Sequence, residues 1–265
     1  MKIGIIGVGI VGNALKCGFE QLGHDLYIHD IKLSTSINNV LCTDIAFVCV
    51  PSPSLDDGKC DTSIIESVIK DLHMLNYTGI VAIKTTVVPG FTEQMSALYT
   101  TLTVCFVPEF LRERCAIDDF VNQHMLLAVG TTDINVYDTI VKAHGHYPKQ
   151  TIQLTPTEAE LLKYFNNVYA ALRISFANII YELSLKLNCD YTIIKNAYIM
   201  TGKAKDMYLD VNPELRGYSG TCLPKDTKAL SVLLKQFDLH YGLIDSIHDD
   251  NEQFNKTVFP GMRHE

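Results

Sequence analysis

Short, nearly continuous apolar runs alternate with amphipathic stretches over roughly the first 110 residues of the chain. The runs have the length and the Val and Ile content of buried strands, and the stretches between them have helical periodicity. The predicted strands are 2–6, 25–29, 45–50, 79–84 and 103–107, and the predicted helices are 13–20, 63–75 and 92–98. This alternation predicts an α/β fold with an N-terminal, doubly wound parallel sheet that carries helices on both faces.

The pattern changes after residue 150. Thr155, Pro156 and Glu158 form a capping-box sequence with proline at the first helical position, which predicts a long helix from 156 to 187. We therefore predict two domains, a Rossmann-type dinucleotide-binding domain over 1–150 and an all-helical central domain over 151–265.

Composition narrows the classes of function. Of the 265 residues 47% are hydrophobic, and the net charge of −8 argues against an extended nucleic-acid or acidic-membrane surface. No segment reaches the roughly 18 uninterrupted apolar residues of a membrane span, and the first residues lack a signal-peptide layout. The eight cysteines have no metal-ligand spacing, so we predict no metal site and a reducing, cytoplasmic location.

A glycine-rich turn joins the first predicted strand to the first helix. In Gly-x-Gly-x-x-Gly the first glycine permits a tight turn, the second a close approach to a pyrophosphate, and the third close helix packing. The predicted phosphate-binding residues are Gly7, Gly9, Ile10, Val11 and Gly12. Asp30, at the end of the second strand, is placed to bind ribose hydroxyls, which favours NAD over NADP; it is alternatively a solvated strand end.

Two other groups of residues carry candidate chemistry. Glu160, Lys163 and Asn167 share one face of the long helix, which is either a solvated stripe or an inward-facing set able to hold an oxyanion. Cys222 stands between glycine and proline, followed by Lys225 and Asp226, and is a candidate covalent nucleophile.

Ordered motifs along nearly the whole chain resemble the UDP-glucose 6-dehydrogenases and their GDP-mannose and UDP-N-acetyl-sugar relatives. Besides the glycine turn, they are Val50-Pro51-Ser52-Pro53 with Asp57-Gly58-Lys59-Cys60-Asp61, Lys84-Thr85-Thr86, Pro108-Glu109-Phe110-Leu111-Arg112-Glu113, Glu158-Ala159-Glu160-Leu161-x-Lys163-x-x-x-Asn167 and Gly220-x-Cys222-x-Pro224-Lys225-Asp226.

The resemblance implies oxidation of a sugar C6 alcohol to a carboxylate by two NAD molecules, through a thiohemiacetal and a thioester on Cys222. It assigns oxyanion stabilisation to Lys163 and Asn167, and proton transfer and water positioning to Asp226. Glu113 matches an acid associated with thioester hydrolysis, and Thr86 a hydroxyl that positions water and substrate. Glu109 and Glu113 are alternatively solvated loop acids.

The resemblance also implies the binding residues. For the cofactor it adds Val50, Pro51, Thr86 and Lys225 to the glycine turn and Asp30. For the nucleotide sugar it implies Glu109, Phe110, Leu111, Arg112, Lys163, Asn167, Tyr218 and Gly220, with Arg112, Lys203 and Arg216 as the cations available to a phosphate. A homodimer through the long helix is expected, and the sugar pocket is expected between the two domains.

The chain departs from the resemblance at its C-terminal end, where relatives normally continue into a domain that grips the nucleotide. We therefore expect a shortened form of the family. Three hypotheses follow: a minimal nucleotide-sugar dehydrogenase, a dehydrogenase for another sugar or sugar phosphate, and an NAD-binding dimer subunit without turnover. Retention of Lys163, Asn167, Cys222 and Asp226 together favours an enzyme.

Overall fold

A computed structural model describes residues 1–254, and residues 255–265, which the predicted second domain includes, lie outside the described part. The described chain contains one seven-stranded sheet with the strand order β2-β1-β3-β4-β5-β6-β7. The strands are β1 (Lys2–Ile6), β2 (Asp25–His29), β3 (Ile45–Val48), β4 (Ile80–Ile83), β5 (Thr103–Phe106), β6 (Leu127–Gly130) and β7 (Thr151–Leu154).

The predicted doubly wound parallel sheet is confirmed, because the strands β1 to β5 are all parallel to one another. The last two strands, which the hydrophobic pattern did not indicate, extend it. β6 is antiparallel to β5, where Phe106 pairs with Gly130, and β7 is parallel to β6. The sheet therefore reverses direction once, between β5 and β6.

Nine α-helices accompany the sheet within residues 1–254. They are α1 (Ile10–Gln21), α2 (Ser63–Met74), α3 (Phe91–Leu98), α4 (Ala116–Val121), α5 (Ile134–His144), α6 (Pro156–Lys186), α7 (Tyr191–Met200), α8 (Leu223–Gln236) and α9 (Gly242–Gln253). After β7 the described secondary structure is helical apart from one isolated β-bridge, as the sequence predicts.

The start of α6 is fixed by the capping box read from the sequence. The backbone N–H of Thr155 donates to Glu158 Oε2 at 2.8 Å, and the backbone N–H of Glu158 donates to Thr155 Oγ1 at 3.3 Å. Gly130 lets this helix approach the end of β6, since a Cβ there would lie 2.8 Å from the Cβ of Ala159. A larger residue at 130 would therefore push the first turn of α6 away from the sheet.

The chain divides into two compact units, and the division falls inside α6. The first comprises 1–53 and 60–163, and the second comprises 54–59 and 164–265. The first unit is built around two apolar clusters, one on each face of the sheet. The predicted domain border at 150 stays a prediction; the units divide after Lys163.

By length and composition alone, α6 is apolar enough to cross a membrane. A core helix passes the same test, and 44% of the relevant segment is buried inside the protein. In the second unit Ala177 and Tyr181 belong to one apolar cluster and Val168 and Ala171 to another, so this face of α6 packs as a core helix does.

Candidate active site

The glycine turn lies at the carboxyl end of β1, in the first unit. Gly7 has a φ of +89°, and a Cβ on it would lie 2.9 Å from the backbone of Cys49. Gly12 packs α1 against the turn so closely that a Cβ would stand 2.0 Å from the Gly7 carbonyl oxygen. Both positions therefore require glycine, the first for its backbone conformation and the second for space.

The N-terminus of α1 follows directly and is open to an anion. Gly9 is its N-cap, without a side-chain cap, and the first turn holds no acidic residue. Ile10 and Val11 are the first helical residues, so their backbone N–H groups belong to the set that has no partner within the helix. Such a terminus is suited to bind phosphate.

The structure brings Asp30 to the glycine turn. Its carboxylate accepts from the backbone N–H of Val8 at 2.6 Å and from that of Lys32 at 2.7 Å. These bonds lower the pKa of Asp30, with the Val8 bond the largest cause. Asp30 is thus a fixed anion at the end of β2 rather than a freely solvated strand end.

The loops after β3 and β4 are tied together. Thr85 Oγ1 donates to the carbonyl oxygen of Val50 at 2.6 Å, and Ser52 Oγ donates to that of Thr86 at 2.9 Å. Val50 is half-buried and Pro51 is exposed. Val50 and Thr86, both predicted to contact the cofactor, therefore lie in two loops joined at the carboxyl edge of the parallel strands, where ligands of this fold bind.

The loop after β5 holds a buried ion pair. Lys163 Nζ lies 2.8 Å from Glu109 Oε1 and donates also to the Glu109 carbonyl oxygen at 2.6 Å. Glu109 accepts from the backbone N–H of Leu111 at 2.7 Å, and the Phe110 ring centroid lies 5.8 Å from Lys163 Nζ. Burial acts to raise the pKa of Glu109, but the Lys163 charge and these hydrogen bonds outweigh it and the pKa is lowered. The alternative prediction that Glu109 is a solvated loop acid is therefore wrong.

The outer part of the same loop is more exposed. The Arg112 guanidinium pairs with Asp119 Oδ1 at 2.6 Å, and the Arg112 backbone N–H donates to Asp119 Oδ2 at 2.7 Å. An arginine predicted to serve a phosphate is therefore already engaged with a carboxylate. Glu113 is half-buried and begins a short 3₁₀ turn at Glu113–Cys115.

Lys84, the first residue of the Lys84-Thr85-Thr86 motif, is a further site residue to which the motif alone assigns no role. It is 3% exposed, and its Nζ donates to the Pro108 carbonyl oxygen at 3.5 Å. Burial lowers the pKa of Lys84 to about 8, and Glu109 opposes that shift. The signal for Lys84 in the sequence is its position directly after the apolar run of β4. Burial of a charged side chain there costs free energy unless the charge is paired, so a lysine at this position indicates charged or polar partners.

Glu160 faces inward as well. It is completely buried, and its carboxylate accepts three hydrogen bonds at the start of α3, from the backbone N–H of Gly90 at 2.6 Å and from the backbone N–H and hydroxyl of Thr92 at 2.8 and 2.6 Å. Burial raises the pKa of Glu160, against the effect of these donors. With Lys163 and Asn167 4% and 5% exposed, the solvated-stripe interpretation of this face is wrong.

In the second unit, Cys222 occupies the N-cap position of α8. It is exposed, and its side chain makes no capping hydrogen bond to the helix. The Asp226 backbone N–H donates to the Cys222 carbonyl oxygen at 2.9 Å, which closes the first turn. The positive end of the helix dipole favours a negative charge on Sγ, and a thiolate is the nucleophilic form of cysteine.

The buried carboxylate of Asp226 lies one turn further along α8. One oxygen accepts from Lys225 Nζ at 2.7 Å and the other from Asn167 Nδ2 at 2.6 Å. Asp226 is fully buried and Lys225 is 8% exposed. The structure thus joins Asn167, Lys225 and Asp226 in one hydrogen-bonded group, although Asn167 and Asp226 are 59 positions apart in the sequence.

Other predicted substrate residues of the second unit have structural partners. Tyr218 is buried, its hydroxyl donates to the Ile247 carbonyl oxygen at 3.4 Å, and burial raises its pKa to about 12. Gly220 has a φ of +81°. Arg216 pairs with Glu182 and donates to Asn178 Oδ1 at 2.7 Å, while Lys203 follows α7 on an exposed turn. The binding roles of Tyr218 and Gly220 stay predictions.

Two family models match the chain. The NAD binding domain of the UDP-glucose/GDP-mannose dehydrogenase family matches residues 29–144, and the central domain of the same family matches residues 157–253. Together the two matches account for most of the chain.

Individual relatives agree with these matches. A UDP-glucose 6-dehydrogenase of Haloferax volcanii is 26% identical, with 95% of this chain aligned to 70% of that protein. A UDP-glucose 6-dehydrogenase of Campylobacter jejuni is 32% identical, with 90% of this chain aligned to 61%. A GDP-mannose 6-dehydrogenase of Pseudomonas aeruginosa is 26% identical, with 83% aligned to 53%. The chain thus spans between about half and seven tenths of the length of these relatives.

Among solved structures, a UDP-glucose dehydrogenase from Pyrobaculum islandicum aligns with a TM-score of 0.85 at 25% identity, over 95% of this chain and 68% of that one. A 3-hydroxyisobutyrate dehydrogenase from Mycobacterium tuberculosis shares the fold, with a TM-score of 0.77 at 12% identity. The glycine turn with its Asp30 anion, the motifs in their predicted order and both family matches lead to one conclusion: the chain belongs to the UDP-glucose/GDP-mannose dehydrogenase family of NAD-dependent nucleotide-sugar dehydrogenases.

Proposed function

We propose that the chain oxidises the C6 alcohol of a nucleotide sugar, of the UDP-glucose type, to a carboxylate through covalent adducts on Cys222. The observation that carries this proposal is the first turn of α8, where an exposed thiol at a helix N-terminus precedes a buried carboxylate held by Lys225 and Asn167. An alcohol dehydrogenase that stops at the aldehyde has no use for such a thiol.

The first unit fits NAD. The turn at Gly7 and Gly12 has no room for a side chain, the open end of α1 suits a pyrophosphate, and Asp30 is a fixed acceptor for ribose hydroxyls. NAD held there would supply the hydride acceptor for each of two oxidations of the reacting carbon. Val50, Pro51, Thr86 and Lys225 keep their predicted cofactor contacts as part of this proposal.

Cys222 acts between the two oxidations. The first oxidation turns the alcohol into an aldehyde, with the hydroxyl proton released to water or a nearby base. The Cys222 thiolate then forms an S–C bond to the aldehyde carbon as the C=O π bond breaks. The oxygen takes up a proton, equivalent to the one the thiol gave up, and becomes the hydroxyl of a thiohemiacetal. Loss of a second hydride and of that hydroxyl proton leaves a thioester, which holds the carbon at the carboxylate oxidation level.

Water completes the reaction by breaking the S–C bond. It releases the carboxylate, a proton and the free thiol. We assign proton transfer and water positioning to Asp226, and stabilisation of oxyanions to Asn167 and Lys163, since an amide and a cation are suitable donors to a developing negative charge. Glu113 and Thr86 keep the hydrolytic and positioning roles that the resemblance implies, and Glu109 acts through Lys163.

The test is NADH formation, followed at 340 nm with saturating NAD and a panel of UDP-glucose, UDP-N-acetyl sugars, GDP-mannose and sugar phosphates. We expect two NADH per molecule of one nucleotide sugar. Cys222→Ser should permit at most the first hydride transfer, because an alcohol is a far weaker nucleophile than a thiolate. The matched control is Cys189→Ser, which makes the same change at another exposed cysteine of the second unit.

Normal production of two NADH by Cys222→Ser would remove Cys222 from the mechanism. A sugar phosphate as the best substrate would favour a dehydrogenase of another specificity. NAD binding without turnover on any compound of the panel would favour the NAD-binding subunit.

We also propose a homodimer through α6. Its surface in the second unit carries large apolar side chains, of which Phe165, Tyr169, Phe176 and Leu183 are between 50% and 69% exposed. Their spacing of four, seven and seven residues places them along one stripe of the helix. A continuous exposed apolar stripe is typical of a protein interface.

A cytoplasmic location is consistent with a substrate and cofactor of this kind and is part of the proposal.

A further inference from the structure

The beginning of α6 contacts two loops that follow neighbouring parallel strands. Glu160 accepts hydrogen bonds from the Gly90 and Thr92 backbone N–H groups, at the end of the loop that connects β4 to α3. Lys163, three residues later, donates to the carboxylate and the carbonyl oxygen of Glu109, in the loop after β5. One helical turn is therefore bonded both to the end of the loop after β4, where α3 begins, and to the loop after β5.

α3 depends on Glu160 for its cap. Gly90 is the N-cap residue and makes no side-chain cap of its own. The first backbone N–H groups of a helix need acceptors, and Glu160 supplies them for Gly90 and for Thr92, which lies 68 residues before it in the sequence. The Glu160 charge is also favoured by the positive end of the α3 dipole, which offsets part of the cost of its burial.

The Glu160 bonds fix one end of the loop that carries Thr86. The other end is fixed by Thr85 Oγ1 on the Val50 carbonyl oxygen and by Ser52 Oγ on that of Thr86. With both ends fixed, the six residues 85–90 have little freedom to move away from the carboxyl edge of the sheet. Without Glu160, the bonds at 85 and 86 remain, but among the hydrogen bonds in the described part of the chain residues 88–90 keep only two local ones. These run from the Phe91 backbone N–H to the Val88 carbonyl oxygen and from the Gln94 backbone N–H to the Gly90 carbonyl oxygen.

We propose that Glu160 is a positioning residue for NAD binding, which acts by clamping the 85–90 loop to α6. The proposal rests on the proposed function in one respect, since it takes Thr86 as part of the cofactor site. It adds that the turn of α6 that holds the loop after β5 through Lys163 also holds the Thr86 loop through Glu160. This turn of α6 therefore sets the positions of both loops.

The test is Glu160→Gln. Glutamine has the same shape but one acceptor and one N–H₂ group, so at least one donor at Gly90 or Thr92 loses its acceptor. We expect the Gly90 and Thr92 amides to exchange with deuterium about tenfold faster, because an unmade buried hydrogen bond favours local opening. We expect NAD to bind about tenfold more weakly by calorimetric titration, since only the closed loop is competent to bind.

Three variants control the result. Glu158→Gln makes the same change two residues earlier, at an exposed cap of α6 itself, and should leave NAD affinity unchanged. Thr92→Val removes only the hydroxyl donor to Glu160, and Thr92→Ser retains it. Glu160 keeps both of its backbone donors in the two Thr92 variants. Each variant should therefore bind NAD within about twofold of wild type and retain slow amide exchange at Gly90.

The outcomes separate this proposal from the proposed function. If Glu160 has only a structural role, Glu160→Gln should unfold at a lower temperature but bind NAD within twofold of wild type. That result would overturn the inference. A wild-type chain that binds NAD but oxidises no sugar would refute the proposed function, while a tenfold loss of NAD affinity in Glu160→Gln would still support the clamp. Unchanged exchange at Gly90 and Thr92 in Glu160→Gln would overturn the clamp whatever the turnover.

Discussion

Replacing Lys163 by methionine should destabilise the protein strongly, and by an amount that depends on pH. The Lys163 side chain is 5% exposed and that of Glu109 is 10% exposed, so the ion pair has almost no access to water. Methionine keeps the apolar stem of lysine and removes the ammonium. The Glu109 carboxylate then keeps its bond from the Leu111 backbone N–H but loses its cation at 2.8 Å.

The expected loss of unfolding free energy is about 3–5 kcal/mol at pH 7.5, the usual cost of leaving one charge of a buried pair without its partner. That is a large part of the ~5–15 kcal/mol that stabilises a typical domain. Much of this free-energy loss is the cost of burying the Glu109 carboxylate without a cation, rather than the loss of the Lys163–Glu109 bond itself. Glu109→Gln in the Lys163→Met background should therefore recover about 1–3 kcal/mol.

The pH dependence follows from the Glu109 pKa. In the wild type that pKa is lowered, so the carboxylate contributes stability that is present above its ordinary pKa of 4.5 and is lost as the pH falls below it. In Lys163→Met burial is opposed far less and raises the pKa, so the folded variant is more stable with Glu109 protonated. The difference between wild type and variant should shrink between pH 7.5 and pH 5.

Urea unfolding followed by circular dichroism at 222 nm, at both pH values, measures these quantities for wild type, both single variants and the double variant. Two results would refute the reasoning: single losses that simply add in the double variant, or a Lys163→Met loss that is the same at pH 7.5 and at pH 5. Either would mean that Glu109 is not an ionised, buried partner of Lys163.

Two further predictions concern the core and the surface. Burial, with a smaller contribution from the Lys84 charge, lowers the pKa of His124 to about 4. The stability that neutral His124 provides is complete above pH 6.5 and should be lost as the pH falls towards 4. The total loss should be about 3 kcal/mol. His124→Phe should remove that part of the acid sensitivity in unfolding experiments, and an undiminished pH dependence would contradict it. Phe176→Glu should convert the proposed dimer into monomers, as measured by light scattering. Phe237→Glu, which makes the same change at an even more exposed phenylalanine outside α6, should leave the dimer intact. A dimer that survives Phe176→Glu would exclude this stripe as the interface.

Local sequence signals predicted much of the first unit. The bounds of β1 and β2 agree with the prediction, and α6 begins at Pro156 because the Thr155–Glu158 capping box is entirely local. β6 (Leu127–Gly130) is not among the predicted strands, although it has the same four-residue length as β3, β4 and β5. Its antiparallel pairing depends on the position of β5, which no local pattern contains.

The site was predictable as a set of residue types and not as a set of bonds. Motifs indicate Cys222, Asp226 and Asn167, but the hydrogen bond from Asn167 to Asp226 depends on how α6 and α8 pack in the second unit. Periodicity allows two interpretations of Glu160, because its partners at Gly90 and Thr92 become available only at the start of another helix. Tertiary packing decides which polar side chains face inward, and periodicity alone does not.

The two hydrogen bonds of the Asp30 carboxylate have a consequence for changing the cofactor. Replacing Asp30 by a residue without an acceptor would not only admit a 2′-phosphate but also release the Val8 amide, and with it the turn that receives the pyrophosphate. Preference for NAD is in this way tied to the folding of the glycine turn. An engineered or evolutionary route to NADP would have to pass through residues such as asparagine or serine, which give up the negative charge while still offering Val8 an oxygen.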